Sequence, residues 1–193
     1  MLRRLYDWTL AKAAGPGAER WLMGISFADS SFFPVPPDVM QIPMSIARPD
    51  RALRYAAVST AASVLGALLG YTIGALLYQA VGVPLLHFYG YEDRFVAFAQ
   101  DIKANGFLWM LAFAFLPIPY KVATIAAGSV SLSIPVLIAA SLLGRGGRFF
   151  LVALVLRRFG AQAQLLIDRY FNTLALGATA LFVGGFVVVR YAL

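Results

Sequence analysis

The chain has 193 residues, 61% of them hydrophobic, and a formal net charge of +7. Soluble domains are closer to ~45–50% apolar, so the composition indicates an integral membrane protein rather than a soluble one. The basic residues flank apolar segments, which favours a role in membrane orientation over nucleic-acid binding. The absence of cysteine excludes a disulfide framework and thiolate chemistry. At this length we expect one domain.

The first 47 residues predict a surface helix followed by a broken membrane segment. Residues 1–19 are mixed and basic, which is typical of a short amphipathic helix on the membrane surface rather than a signal peptide. Residues 20–47 are broken in the stretch 31–38 by three prolines, namely Pro34, Pro36 and Pro37. The 13 residues before the break, 21–33, reach only ~20 Å as a helix, short of the ~30 Å hydrocarbon core. Because both flanks are basic, we favour a re-entrant hairpin from the cytoplasmic side; one kinked span is the alternative.

The middle of the chain predicts one full crossing and a second surface helix. Residues 55–81 carry no charge and are long enough to span with some tilt. Glycines recur there at every fourth position, at Gly66, Gly70 and Gly74, which favours close helix packing over an incidental lipid-facing placement. Residues 82–106 hold three acidic and two basic residues with aromatics at helical spacing, which is typical of an amphipathic helix on the outer side. His87, the only histidine, is interpreted as an interfacial residue rather than a metal ligand.

The second half repeats the first in inverted orientation. Residues 107–128 form a second predicted hairpin, entering from outside, with a short apolar arm and breaks at Pro117 and Pro119; Gly128 is assigned to helix packing. Residues 130–156 and 171–192 are predicted spans, the last ending outside. The predicted fold is therefore an all-α integral membrane protein: an inverted repeat of re-entrant helical hairpin plus transmembrane helix, with an extra C-terminal transmembrane helix. Transporters often use inverted repeats whose broken helices meet near the midplane.

Five charged residues fall at or near predicted membrane depth, and these are the candidate transport residues: Asp29, Asp38, Lys121, Arg145 and Arg148. A charge at that depth costs ~2.5–3.5 kcal/mol even on insertion scales, so its default interpretation is functional. Two interpretations of Asp38 and Lys121 stay open, a transport role and a structural ion pair joining the hairpins.

Arg145 and Arg148 lie mid-span if that helix is continuous, with glycines leaving room for a bulky group; alternatively the helix ends at Leu143 and they begin a loop. Arginine holds phosphate well through paired donors. Coupling to protons through Asp29 or Asp38 is compatible with this pattern, with its direction open. No metal cluster, phosphate loop or nucleophile–base pair is recognisable, so we expect neither enzyme activity nor a cofactor.

Three motifs resemble the DedA family, also called VTT or SNARE-associated Golgi domain proteins, and its short YqaA-like bacterial branch in particular. They are Asp29-Ser-Ser-Phe-Phe-Pro-Val-Pro-Pro-Asp38, Gly66-Ala-Leu-Leu-Gly70-Tyr-Thr-Ile-Gly74, and Phe115-Leu-Pro117-Ile-Pro119-Tyr-Lys121 with Gly128. The chain departs from the family pattern at Ala114, where an arginine is usual, and at Lys121, one place later than the usual second arginine.

The resemblance implies a translocase or scramblase of a phosphate-bearing lipid such as undecaprenyl phosphate, dependent on the proton motive force. It also implies a bacterial inner-membrane location, with a cytoplasmic N-terminus and an external C-terminus. The expected partners are membrane lipids and protons, with no nucleic acid and the oligomeric state open. A proton- or cation-coupled transporter of small solutes and a non-transporting membrane scaffold are the alternatives.

Overall fold

The computed structural model describes residues 17–32, 36–78, 92–115 and 120–160, with isolated positions at 15, 80, 83 and 162. Within these ranges the protein is all-helical, with about 90% of residues in helices and no strand. The all-α class is therefore confirmed for this part of the chain. Most of the predicted surface helix 1–19, the tips holding Pro34, Pro117 and Pro119, His87 and the predicted span 171–192 lie outside the described residues.

Two short helices form the beginning of the fold. Helix α1 covers Ala18–Asp29 and α2 covers Asp38–Ala47. The start of α1 packs with the second half of α2, through a cluster that includes Leu22 and Met44. The two helices therefore run in opposite directions, on either side of the proline-rich break. At 12 and 10 residues they are about 18 and 15 Å long.

Helix α3 is the element against which most of the other described helices pack. It covers Ala52–Leu77 and follows a 3-10 turn at Pro49–Arg51. Arg48, before that turn, has φ −140° and ψ 79°, outside the α-helical region that a following proline disfavours. At 26 residues α3 is about 39 Å long.

The glycine stripe of α3 is the surface where neighbouring backbones come closest. A β-carbon at Gly66 would overlap the Phe27 carbonyl oxygen of α1, and one at Gly74 would overlap the carbonyl oxygen of Ile125. Gly70 faces the Thr124 hydroxyl in the same way. The predicted packing role of the stripe is thus what the structure shows, with α1 on its first part and a later helix on its second.

The later helices complete this arrangement. Helix α4 covers Glu92–Phe115 with a kink at Asn105 (φ −130°, ψ 34°), and α5 covers Tyr120–Ser129. Gly128 of α5 lies against the Tyr71 carbonyl oxygen, so here too a glycine admits a neighbouring backbone. The chain then turns through Ser131, whose φ of 55° is left-handed.

The final described helix, α6, runs antiparallel to α3. It covers Ile134–Gly160 and contains a π-helical turn at Leu142–Gly146. Phe149 and Ala153 pack on the start of α3, at Ala52 and Ala56. Arg145, which lies earlier in α6, bonds Ser63, which lies later in α3. The two helices therefore run in opposite directions.

Several helix limits differ from those predicted. The first span begins at Ala52 rather than 55, and its α-helical part ends at Leu77 rather than 81. The second starts at Ile134 rather than 130 and continues to Gly160 rather than 156. The predicted boundary between surface helix 82–106 and hairpin 107–128 falls at the kink of α4, where Asn105 leaves the helical conformation.

Two helices among the described residues are long and apolar enough to cross a membrane: Pro49–Leu77, with 29 residues, and Ile134–Gly160, with 27. Large apolar side chains on both are exposed, including Leu76 at 72% and Leu143 at 61%. An exposed apolar surface of this kind marks contact with lipid or with a partner. The structure is thus compatible with a membrane protein.

Candidate functional site

Four of the five predicted transport residues come together in two ion pairs. We call Asp29, Asp38, Arg145 and Arg148 the charged cluster. Asp29 ends α1 and Asp38 begins α2, so the two acids stand on either side of the proline-rich break. Asp29 pairs with Arg145, and Asp38 pairs with Arg148. Both arginines project from one face of α6, since they are three residues apart.

Arg145 is enclosed on all sides that the structure describes. Its side chain is 4% exposed, and its guanidinium binds the Asp29 carboxylate. Its Nε donates to the Ser63 hydroxyl oxygen at 2.9 Å. The guanidinium carbon lies 4.7 Å from the Phe149 ring centroid and 5.6 Å from that of Tyr120, which are cation–π distances. This arginine is held by interactions with four side chains.

A chain of hydroxyl groups joins this arginine to the end of α1. The Ser30 and Ser63 hydroxyl oxygens are 2.5 Å apart. Because Ser63 accepts from Arg145, it can donate its own hydrogen to Ser30. Thr124 of α5 in turn donates to the Ser30 carbonyl oxygen at 3.0 Å. The residue that follows α1 therefore contacts α5, which links the first and second halves of the chain close to the charged cluster.

Arg148 is more open than Arg145. Its Nη2 lies 2.7 Å from the Asp38 carboxylate, and the two side chains are 27% and 16% exposed. A guanidinium carries five N–H donors in a planar fork. Among the described residues, only one of those five donors takes part in a hydrogen bond. Arg148 therefore has donors through which it can bind an anion other than Asp38.

The structure does not form the ion pair between Asp38 and Lys121 that the sequence left open. Asp38 pairs with Arg148, and no salt bridge joins Asp38 to Lys121 among the described residues. The reason is packing. Helix α5 lies against the second part of α3 and presents Thr124 to Ser30. Lys121 stands one turn earlier on α5 and is half-buried outside the charged cluster.

The helix does not end at Leu143, so Arg145 and Arg148 are helical residues rather than the start of a loop. The expectation that the neighbouring glycines leave room for a bulky group is wrong at two positions. A β-carbon at Gly144 would overlap Ala114, and one at Gly146 would come within 3.1 Å of Thr60. Only Gly147 of the three has open space around its Cα. These glycines bring α6 close to α4 and α3.

Two of the five prolines predicted as breaks are described. Pro36 is exposed, while Pro37 is buried and precedes the first residue of α2. Proline fits that position because it has no N–H to leave unpaired at a helix start.

The polar residues that support the charged cluster were not predicted from the sequence. Besides Ser30 and Ser63, these include Tyr120, whose hydroxyl oxygen lies 2.6 Å from that of Ser141, and Gln41, whose Nε2 donates to the Phe149 carbonyl oxygen at 2.9 Å. A signal was available, because serine, threonine and glutamine within apolar segments commonly hydrogen-bond across helices in membranes.

No group of three His, Cys, Asp or Glu side chains in the described ranges comes together as a metal site. A separate cavity of about 460 Å³ lies at the kink of α4 and the α5–α6 turn, lined by Lys103, Asn105, Ser131 and Ser133 among others. It shares no lining residue with the charged cluster.

The chain is similar to two bacterial proteins. An uncharacterized protein of Haemophilus influenzae is 35% identical over 150 residues, which cover 77% of each chain. A protein of Histophilus somni, described as an uncharacterized HI0703 homolog, is 34% identical over 148 residues, again 77% of each chain. No protein-family profile matches the chain, and no solved structure matches it.

Proposed function

We propose that this chain, which belongs to the same family as the Haemophilus influenzae and Histophilus somni proteins, moves a phosphate-bearing lipid across a bacterial inner membrane. The single observation that carries the proposal is the charged cluster, with two arginines and two aspartates between the proline-broken helices and α6. We further propose that the DedA resemblance reflects common descent and supplies the substrate class.

Helix length and pairing support the membrane placement in this proposal. Helices α3 and α6 span the bilayer, while α1 and α2, each less than ~20 Å long, enter and leave by the same face. The corresponding pair consists of α5 and the second part of α4, and it enters the bilayer from the other face. Each short pair then packs on both spans, which is the inverted-repeat arrangement that the sequence predicts. Basic residues near α1 and at the α2–α3 connection put that end in the cytoplasm.

The two arginines take different roles in this proposal. Arg145 is nearly fully buried and held by Asp29, Ser63 and two aromatic rings, so it positions the cluster. Arg148 is 27% exposed and, among the described residues, uses one of its five donors, so it receives the lipid phosphate. The phosphate would displace Asp38, because both anions compete for the same guanidinium. Lys121 lies outside the charged cluster, and its role in this proposal is limited to attracting the phosphate before the phosphate reaches Arg148.

The test is reconstitution into liposomes with a labelled polyprenyl phosphate, with movement between leaflets measured as the fraction accessible to an external reagent. We expect the wild type to exceed protein-free liposomes and Arg148→Gln to lose most of that activity. The charge-swapped double variant Asp38→Arg/Arg148→Asp should fold but stay inactive, because the cation has moved to α2.

The matched control is the exposed pair of Glu19 and Arg54, which is also 2.7 Å long. Its swap, Glu19→Arg/Arg54→Glu, should leave lipid movement unchanged. Full activity in the swapped Asp38–Arg148 variant would indicate a purely structural pair and a scaffold. Ion flux or solute uptake without lipid movement would favour a coupled solute transporter instead.

A further inference from the structure

Three side-chain oxygens near the charged cluster are fully buried without a hydrogen-bond partner among the described residues. They are Gln41 Oε1, Ser45 Oγ and Ser59 Oγ, and all three residues are 0% exposed. Buried polar atoms in folded proteins are nearly always paired with protein or ordered water, so each exception calls for an explanation.

The three atoms belong to two polar stripes that start at the charged cluster. On α2, Asp38, Gln41 and Ser45 are spaced at i, i+3 and i+7, which is one helix face. On α3, Ser59 is one turn before Ser63, which binds Arg145. Helix α2 packs on α3, and Gln41 reaches α6 through its bond to the Phe149 carbonyl. The stripes lead from the cluster toward the α2–α3 connection.

Leaving these atoms unpaired would be costly. An unsatisfied buried donor or acceptor keeps its full desolvation penalty, so three of them would consume a large part of the marginal stability that is typical of folded proteins. Whatever pairs with these atoms must donate to Gln41 Oε1 and exchange hydrogen bonds with the hydroxyls of Ser45 and Ser59. Water does so, and buried waters typically make about three such bonds.

A metal cation fits less well than water. The three oxygens are neutral, and both nearby carboxylates are already engaged by arginines. A cation would also sit near two guanidinium groups, whose charge opposes its binding.

We infer that ordered water occupies the space between α2, α3 and α6 beside Gln41, Ser45 and Ser59, forming a buried hydrophilic path from the α2–α3 connection to the Asp38–Arg148 pair. The path goes beyond the proposed lipid transport, because it would exist whatever the substrate is. It gives the end of the protein at the α2–α3 connection aqueous access to this partly buried ion pair.

The chain's lack of cysteine makes the path directly testable. Ser45→Cys and Ser59→Cys would be reacted separately, in the full-length protein in liposomes, with a small cationic methanethiosulfonate. The matched control is Ser26→Cys, since Ser26 is also 0% exposed but its hydroxyl is satisfied by the Leu22 carbonyl at 2.7 Å. The thiolate is the reactive form and requires a hydrated setting, so we expect both variants to react at least about tenfold faster than the control.

Reaction of both variants at the rate of Ser26→Cys would overturn the inference. For protein that the substitutions unfold, the wild type supplies a second measurement: a density map that resolves water should place water within hydrogen-bond distance of Gln41 Oε1. A map that shows no water beside Gln41 Oε1 would also overturn the inference. Neither measurement uses a lipid substrate, so hydrated stripes in a protein that moves no lipid would refute only the proposed function.

Discussion

Removing one member of the Asp29–Arg145 pair should destabilise the protein by an amount that depends on which member is removed. Asp29→Leu leaves a 4%-exposed guanidinium that cannot lose its proton inside proteins. Arg145→Met leaves a carboxyl group that can take up a proton and become neutral. We therefore expect Asp29→Leu to be the less stable of the two single variants.

The magnitudes follow from the surroundings of the pair. Breaking a buried ion pair by removing one partner costs about 3–5 kcal/mol. In Asp29→Leu, the guanidinium keeps its bond to Ser63 and its two aromatic neighbours, which places the cost near the lower limit, at about 3 kcal/mol. Arg145→Met should cost about 1–3 kcal/mol, as expected for a buried acceptor that loses its donor.

The double variant Asp29→Leu/Arg145→Met is the decisive comparison. Replacing a whole buried ion pair by apolar residues is often neutral or stabilising, so we expect the double variant to be more stable than Asp29→Leu. The assay is unfolding of purified protein in detergent, followed by circular dichroism against temperature and denaturant. Glu19→Gln, which breaks an exposed pair, serves as the control and should leave the midpoint almost unchanged. Additive losses in the double variant would refute the reasoning, because they would mean that the two charges do not interact.

Two further predictions concern packing and hydrogen bonding in the same unfolding assay. Gly74→Ala should lower the free energy of unfolding by about 1–3 kcal/mol because its methyl group meets the Ile125 backbone, whereas Gly24→Ala, with open space around its Cα, should raise it by up to about 1 kcal/mol; equal effects would contradict the close packing. Tyr120→Phe should lower it by about 1 kcal/mol through loss of the 2.6 Å bond to Ser141, and an unchanged stability would contradict that bond.

The features of the fold that could be predicted from the sequence are those that depend on local patterns of residues. The break between α1 and α2 follows from prolines, which act on their own backbone and need no knowledge of neighbours. The glycine spacing predicted a packing face because residues four apart share one side of a helix. The partner of each glycine was not predictable, since Phe27 and Ile125 reach the stripe only through the arrangement of separate helices.

The partner of each charged residue could not be predicted from the sequence. Three candidate cations, Lys121, Arg145 and Arg148, were available to Asp38, and the repetition of the proline-broken hairpin suggested Lys121. The choice is made by helix packing across 110 residues of chain. Gln41 bonds the backbone of α6 one residue beyond Arg148, which fixes the register of α2 against α6. No spacing rule encodes that register.

In the structure each arginine of the charged cluster is neutralised by an aspartate of the same chain. This pairing constrains how a transport cycle could begin. Moving α1 and α2 away from α6 as one body would break both ion pairs and leave both arginines without their carboxylate partners. Exchange at Arg148 alone requires no such movement, because a phosphate can replace Asp38 while Arg145 stays with Asp29 and Ser63. On the proposed function, substrate binding therefore precedes helix movement, and Asp38 acts as the intramolecular competitor of the lipid. Asp38→Asn should then increase the apparent affinity for the lipid phosphate while Arg148→Gln abolishes binding; weaker binding in Asp38→Asn would count against this order of events.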